Sequence, residues 1–271
     1  MLKTREIDGI VIVKKKNYSL CRIENFSEEM QKLLREHLSY ICYGISSAAS
    51  GKKIYSYKST LIEFRKRYEN KSENTKMGML GELLIHLIVR TFFDEYIVAS
   101  PFFNLQERSI KKGFDVVLSS KSGQDIWLIE IKSGELHVNK GCTETTIDLI
   151  NTAKYDLIKR LNNENHSLWI NAVADAKYVF DNNQDSKKMI VDLLEKYCEF
   201  SNDEKVVSNK INVFLSSSLF SNLKDNIDEI KIRERYATIN KENIFKSVYI
   251  LSIHKETFTK LINFIECECM S

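Results

Sequence analysis

Apolar positions along the 271-residue chain switch between a repeat of two and a repeat near 3.6, which divides it into short strands and longer helices. Residues 9–13 and 18–23 read as short strands flanking Lys14, Lys15 and Lys16. Ser27, followed by Glu28 and Glu29, caps a helix that runs to about Tyr43, where Gly44, Ser46 and Ser47 break it. A second amphipathic helix covers about 58–70, with Leu61, Ile62, Phe64 and Tyr68 inward and Arg65, Lys66 and Arg67 mostly outward. Residues 70–76 are polar and turn-like, so the chain divides there into an N-terminal α+β extension (1–75) and a larger domain (76–271).

From Gly78 the pattern sharpens. Leu80, Leu83, Leu84, Leu87, Ile88 and Phe92 recur at helical spacing over 78–93. Tyr96 to Phe103 reads as a strand, as do Phe114 to Ser119 and Ile126 to Lys132, the latter two joined through the polar turn 120–124. A long helix follows over about 143–163, and the chain stays helix-rich to about Phe200. Ile211 to Leu215 and Val248 to Ile253 add strands to the same sheet, and a closing helix covers roughly 255–267. The expected fold class is α/β (α+β), a mixed β-sheet flanked by helices.

Composition adds a compartment and a charge asymmetry. No apolar run approaches the roughly 20 residues of a membrane-spanning helix, and the first residues resemble no signal peptide, so the expectation is a soluble cytoplasmic protein without a membrane partner. Six scattered cysteines form no disulfide framework, and Cys267 and Cys269 lack a second ligand pair at zinc-finger spacing. The overall charge is +3, but residues 1–80 hold 16 Lys/Arg against 9 Asp/Glu, a balance of +7 that leaves −4 for the rest. A basic front half, with Lys14–Lys16, Lys52, Lys53 and Arg65–Arg67 in clusters, suits nucleic acid; it suits an acidic protein partner equally.

The candidate chemistry sits on two strands. Side chains two apart on a strand share a face, so Glu130 and Lys132 point one way while Trp127, Ile129 and Ile131 point the other. An acid and an ammonium at the end of so apolar a strand are costly to desolvate unless something uses them. Asp115 stands in the adjacent apolar run, and Glu82 rides on the preceding helix. Phosphodiester hydrolysis wants this set: carboxylate oxygens hold Mg²⁺ or Mn²⁺, and a lysine orients or deprotonates the attacking water if the site depresses its pKa. An E-x-K tripeptide on its own more often marks an exposed strand edge or a surface ion pair. The helix–strand–strand–strand–helix order around it tips the balance toward chemistry.

Residues 78–163 resemble the restriction-endonuclease-like αβββα core of the PD-(D/E)xK nuclease superfamily. The segments Gly81-Glu82 to His86, Gly113 to Val116 and Trp127 to Gly134 more narrowly resemble the HamA family, the nuclease subunit of Hachiman-type bacterial antiphage systems. The resemblance implies Asp115 and Glu130 as metal ligands, Lys132 as the catalytic lysine and Glu82 as a helix-borne acid completing the ligand set. It also implies DNA as substrate and a superfamily 2 helicase subunit (HamB-like) in a heterodimeric complex. Gly113-Phe114 replaces the superfamily's proline before the aspartate, and Asn151-x-x-x-Tyr155 resembles a Q-x-x-x-Y element with Asn for Gln. His86 reads better as a packed histidine than a ligand, and His137, Cys142 and Glu135 read as loop residues. The alternative is a nuclease-like subunit without activity that binds nucleic acid or the helicase.

Overall fold

The computed structural model describes residues 6–103, 113–162, 166–182, 184–203, 207–256 and 258–270. Strands β1 (Ile10–Lys14) and β2 (Tyr18–Ile23) form a hairpin, followed by helices α1 (Glu28–Tyr43), α2 (Ile45–Ala48) and α3 (Tyr57–Glu69). The central segment is α4 (Glu73–Phe92), β3 (Tyr96–Val98), β4 (Val116–Ser120), β5 (Ile126–Gly134) and α5 (Cys142–Asn162). Helices α6 (His166–Val179) and α7 (Gln184–Asp203) lead to β6 (Asn212–Phe220), α8 (Glu229–Lys241), β7 (Ser247–Lys255) and α9 (Thr259–Met270).

These strands make one mixed seven-stranded sheet in the order β1-β2-β7-β6-β5-β4-β3. β3, β4 and β5 are an antiparallel meander, β5, β6, β7 and β2 run parallel to one another, and β1 is antiparallel to β2. Because β2 lies beside β7, the basic N-terminal segment and the C-terminal strand share this sheet. Parallel neighbours need crossovers, and α8 supplies the one between β6 and β7.

Alternation along β5 separates two cores. Ile129 and Ile131 pack with Leu80, Leu84 and Ile88 of α4 and with residues of α1 and α3. Leu128 packs on the other face with Ile150, Ala153 and Leu157 of α5 and with Trp169 of α6. The central parallel strands β6 and β7 are covered on both faces, as parallel sheets require.

Four details differ from the sequence expectation. The polar stretch 70–76 is mostly the first turn of α4, because the Ser72 hydroxyl accepts from Thr75 N and starts the helix at Glu73. The strand expected over 96–103 ends at Val98; beyond Pro101 the backbone turns to α1, with Phe102 N and Phe103 N donating to the carbonyls of Ile41 and Cys42. β6 runs on through Ser216, Ser217 and Ser218, and β7 on to Lys255, so the closing helix starts only at Thr259. Asp115 stands immediately before β4 rather than within it.

Candidate active site

Register brings the acids together. Val116 pairs with Ile129 across the antiparallel ladder, which sets Asp115 opposite Glu130, on the face covered by α5. Asp115 Oδ2 accepts from Ile131 N at 2.7 Å, a backbone anchor that fixes the carboxylate at the mouth of β4. Glu130 is fully buried, and both its oxygens are used: Oε1 accepts from Lys132 Nζ at 2.9 Å and Oε2 from Arg160 at 2.9 Å. The same Arg160 nitrogen lies 3.6 Å from Asp115 Oδ1 and donates to the Gly113 carbonyl at 3.3 Å. Lys132 pairs in turn with Asp156 Oδ2 at 2.7 Å. Asp156 and Arg160 are four apart on α5 and so project from one face of that helix.

Three carboxylates thus face two cations. Burial pushes the Glu130 carboxyl up to about 7, and the neighbouring Asp115 charge adds to this, against the opposing pull of Arg160 and Lys132. Burial alone would lower Lys132, but Glu130, Asp156 and Asp115 outweigh it and raise its pKa above the ordinary lysine value. Of the two roles open to this lysine, the raised pKa favours orienting a water or phosphate as an ammonium donor over taking a proton.

Glu82 belongs to the other layer. Its helix packs through Gly81 against Ser133 and Ser218, on the opposite face of β5 and β6 from Glu130. The Glu82 carboxylate stands 3.9 Å from Nε2 of His86, which is fully buried and edge-on to Phe102. Asp115, Glu130 and Lys132 converge, and Glu82 comes from the helix layer on the other face of β5.

Among the described residues no group of three or more His, Cys, Asp or Glu side chains is arranged to hold a metal ion. The Asp115 and Glu130 pair still fits Mg²⁺, which takes one or two carboxylates and keeps waters for the rest of its shell. Both acids already converge on a cation, the Arg160 guanidinium, and the raised Glu130 pKa records a demand for positive charge at this point.

The remaining candidates scatter. His137 pairs with Asp148 at 2.8 Å, Cys142 is buried with its Sγ against the Asn226 carbonyl, and Tyr155 and Glu135 are exposed. Cys21, Cys42, Cys142 and Cys198 are buried, and none of the cysteines among the described residues is in a disulfide. Arg67 is paired with Glu63 and lies over the Phe103 ring, so part of the basic N-terminal surface is already engaged. Sequence reasoning missed Arg160 and Asp156; their spacing on a helix after the E-x-K strand was the available signal.

Fold and site together define a mixed α/β protein with an acid–lysine cluster where β4 and β5 part. The family model described as HamA matches residues 4–269, and the chain belongs to that family. A search of curated proteins finds no match. Family membership points to a component of a Hachiman-type defence system. Among the described residues no helix is long and apolar enough to cross a membrane.

Proposed function

We propose that the chain is a metal-dependent DNA nuclease of the PD-(D/E)xK type, acting in the cytoplasm as the effector of such a system alongside a helicase subunit. The observation that carries this reading is the convergence of Asp115, Glu130 and Lys132 at the parting of β4 and β5. The helix, three-strand meander and helix that frame them support the superfamily assignment.

Asp115 and Glu130 would hold Mg²⁺ or Mn²⁺, which when bound neutralises charge on a phosphate and lowers the pKa of a bound water. The protein's own groups do the rest. Ile131 N fixes Asp115, so that carboxylate is oriented before any ligand arrives. Asp156 holds the Lys132 ammonium beside Glu130, where it donates to a phosphate oxygen or to the attacking water. Arg160 must give up at least part of its hold on the two carboxylates, and its fork is then free to clamp a second phosphate oxygen. Glu82 remains a proposed third acid from the α4 layer.

One observation favours a second reading, a subunit that binds without cutting. The internal pairing of Glu130 with Lys132 and Arg160 is already closed, as in a site that has become purely structural. Purified chain incubated with plasmid, linear and single-stranded DNA in Mg²⁺, Mn²⁺ or EDTA separates the two. Metal-dependent cleavage supports the nuclease; metal-independent binding without cleavage supports the second reading.

A further inference from the structure

A cavity of about 820 Å³ lies away from the acid–lysine cluster, at the amino ends of the parallel strands. Strand β5 spans the two, with Trp127 lining the cavity near its start and Lys132 in the cluster near its end. The volume falls in the range of small-ligand sites, roughly 300–1,000 Å³.

Two kinds of side chain line it. Phe93, Tyr96, Trp127, Phe214 and Tyr249 form an aromatic wall, in which Tyr96 and Trp127 meet at 5.8 Å and 69°, and Trp127 and Phe214 at 5.4 Å and 77°. Phe93 and Phe214 are buried by this packing, but Tyr96 and Trp127 stay half-buried, with ring surface left toward the cavity. Lys14, Lys15, Lys16 and Lys246 supply the charge, against only Asp94 and Glu95 among the lining carboxylates. Lys14 is built into the wall, bonded to the Phe92 carbonyl and Glu95 and seated over the Phe93 ring at 4.1 Å. Lys15 and Lys16, on the β1–β2 turn, are exposed at the rim. Lys15 lies 3.8 Å from Glu229 and Lys246 pairs with Asp125 at 3.0 Å, both solvent-exposed ion pairs from which a phosphate can draw the lysines. The lysine run that stood out in the sequence thus meets an aromatic platform.

We propose that this cavity is a nucleotide-binding site: a base stacks against Tyr96 and Trp127, and its phosphate is held by Lys15, Lys16 and Lys246. Neither half of the lining suits a simpler ligand. A bare phosphate leaves the aromatic wall and most of the volume unused, and a neutral apolar ligand makes no use of the lysines gathered at the rim. Duplex DNA hides its base faces, so the ligand is a free nucleotide or an unpaired nucleotide of a single strand. The inference is independent of the nuclease reading.

The test titrates the wild-type chain in EDTA, where the acid–lysine cluster has no metal with which to bind or cut. The probes are 2′-deoxyadenosine 5′-monophosphate, adenosine, inorganic phosphate and a single-stranded oligodeoxyadenylate, followed by tryptophan fluorescence and calorimetry. The mononucleotide or the oligonucleotide should bind saturably. Phosphate, which lacks the base, should bind at least roughly tenfold more weakly, since one base stacked on an aromatic side chain is worth about that much. Adenosine, which lacks the phosphate held by the lysines, should also bind more weakly. The Lys15→Ala/Lys16→Ala chain, altered only at exposed positions, should lose a comparable factor. Tighter binding of the mononucleotide identifies a free nucleotide as the ligand, and tighter binding of the oligonucleotide a strand. The proposal is overturned if neither binds, if phosphate alone binds as tightly as the mononucleotide, or if the double variant binds like wild type. A negative result leaves Mg²⁺-dependent cleavage untouched, so the two readings fail separately.

Discussion

Replacing Glu130 by Gln should change how stability depends on pH, and the size of the change follows from the burial of this one carboxyl. In the folded chain its pKa is pushed from an ordinary 4.5 up to about 7 by desolvation and by Asp115. Below about pH 4.5 the carboxyl is protonated in folded and unfolded chains alike and contributes no pH dependence. Between 4.5 and 7 the unfolded chain loses its proton first, so the unfolded state gains and stability falls as pH rises. Above 7 the loss is complete. At 1.36 kcal/mol per pKa unit it amounts to about 3 kcal/mol, a large share of a typical domain's net stability. Urea denaturation of wild type and Glu130→Gln at pH 4.5 and pH 8 measures the double difference, in which pH-independent effects of the substitution on packing and ion pairing cancel. The stability of the variant relative to wild type should rise by about 3 kcal/mol between the two pH values. Parallel profiles would show that Glu130 is not strained when ionised, and the demand for a cation at the site would go with it.

Lys132→Ala should keep the fold and lower cleavage by roughly 10²–10⁴-fold, the range for a positioned proton-handling or donor group; an unchanged rate in a folded chain rejects the assignment. Arg160→Met removes a cation that competes for the Asp115 and Glu130 oxygens. Calorimetry at pH 8, above the Glu130 pKa of about 7, should then show Mn²⁺ bound several-fold more tightly, and weaker binding would make Arg160 a support of the metal site rather than a competitor. A Cβ added at Gly81 would collide with Ser133 Oγ and stand 3.0 Å from the Cβ atoms of Ser133 and Ser218. Gly81→Ala should therefore lower the denaturation midpoint by the equivalent of about 1–3 kcal/mol despite the better helix propensity of alanine; a stabilised variant would mean that α4 sits farther from the sheet. In complex with the proposed helicase subunit, cleavage of plasmid should be suppressed until ATP and DNA ends are supplied; equal rates for the free chain and the idle complex would place control elsewhere.

The elements legible in the sequence are those whose side-chain rhythm reports directly on burial. β5 and α4 carry unbroken apolar repeats, and the period of two along β5 was enough to put Glu130 and Lys132 on one face. What escaped reading depends on contacts between distant segments. Ser216, Ser217 and Ser218 look like a strand's end, but neighbours on both sides keep the backbone paired and their hydroxyls are buried, Ser217 bonding Ser252 at 2.8 Å. Helix α8 buries few apolar residues, Ile232 and Ile239 among them, so its face carries little contrast. Arg160 reads as one more charged residue near a helix end. Its place between Asp115 and Glu130, 45 and 30 residues earlier in the chain, appears only once α5 has docked on the sheet.

Initial rates of supercoiled plasmid cleavage in Mg²⁺, compared between wild type and Glu130→Gln at equal folded concentration, bear most directly on the reading of the cluster as a nuclease centre. Wild type should cut, EDTA should stop it, and Glu130→Gln should show no metal-dependent cleavage at any Mg²⁺ concentration. Equal rates in the two chains would place any nuclease activity outside the Asp115, Glu130 and Lys132 cluster, and no cleavage by wild type, alone or with its partner engaged on DNA, would leave the cluster a structural ion-pair network.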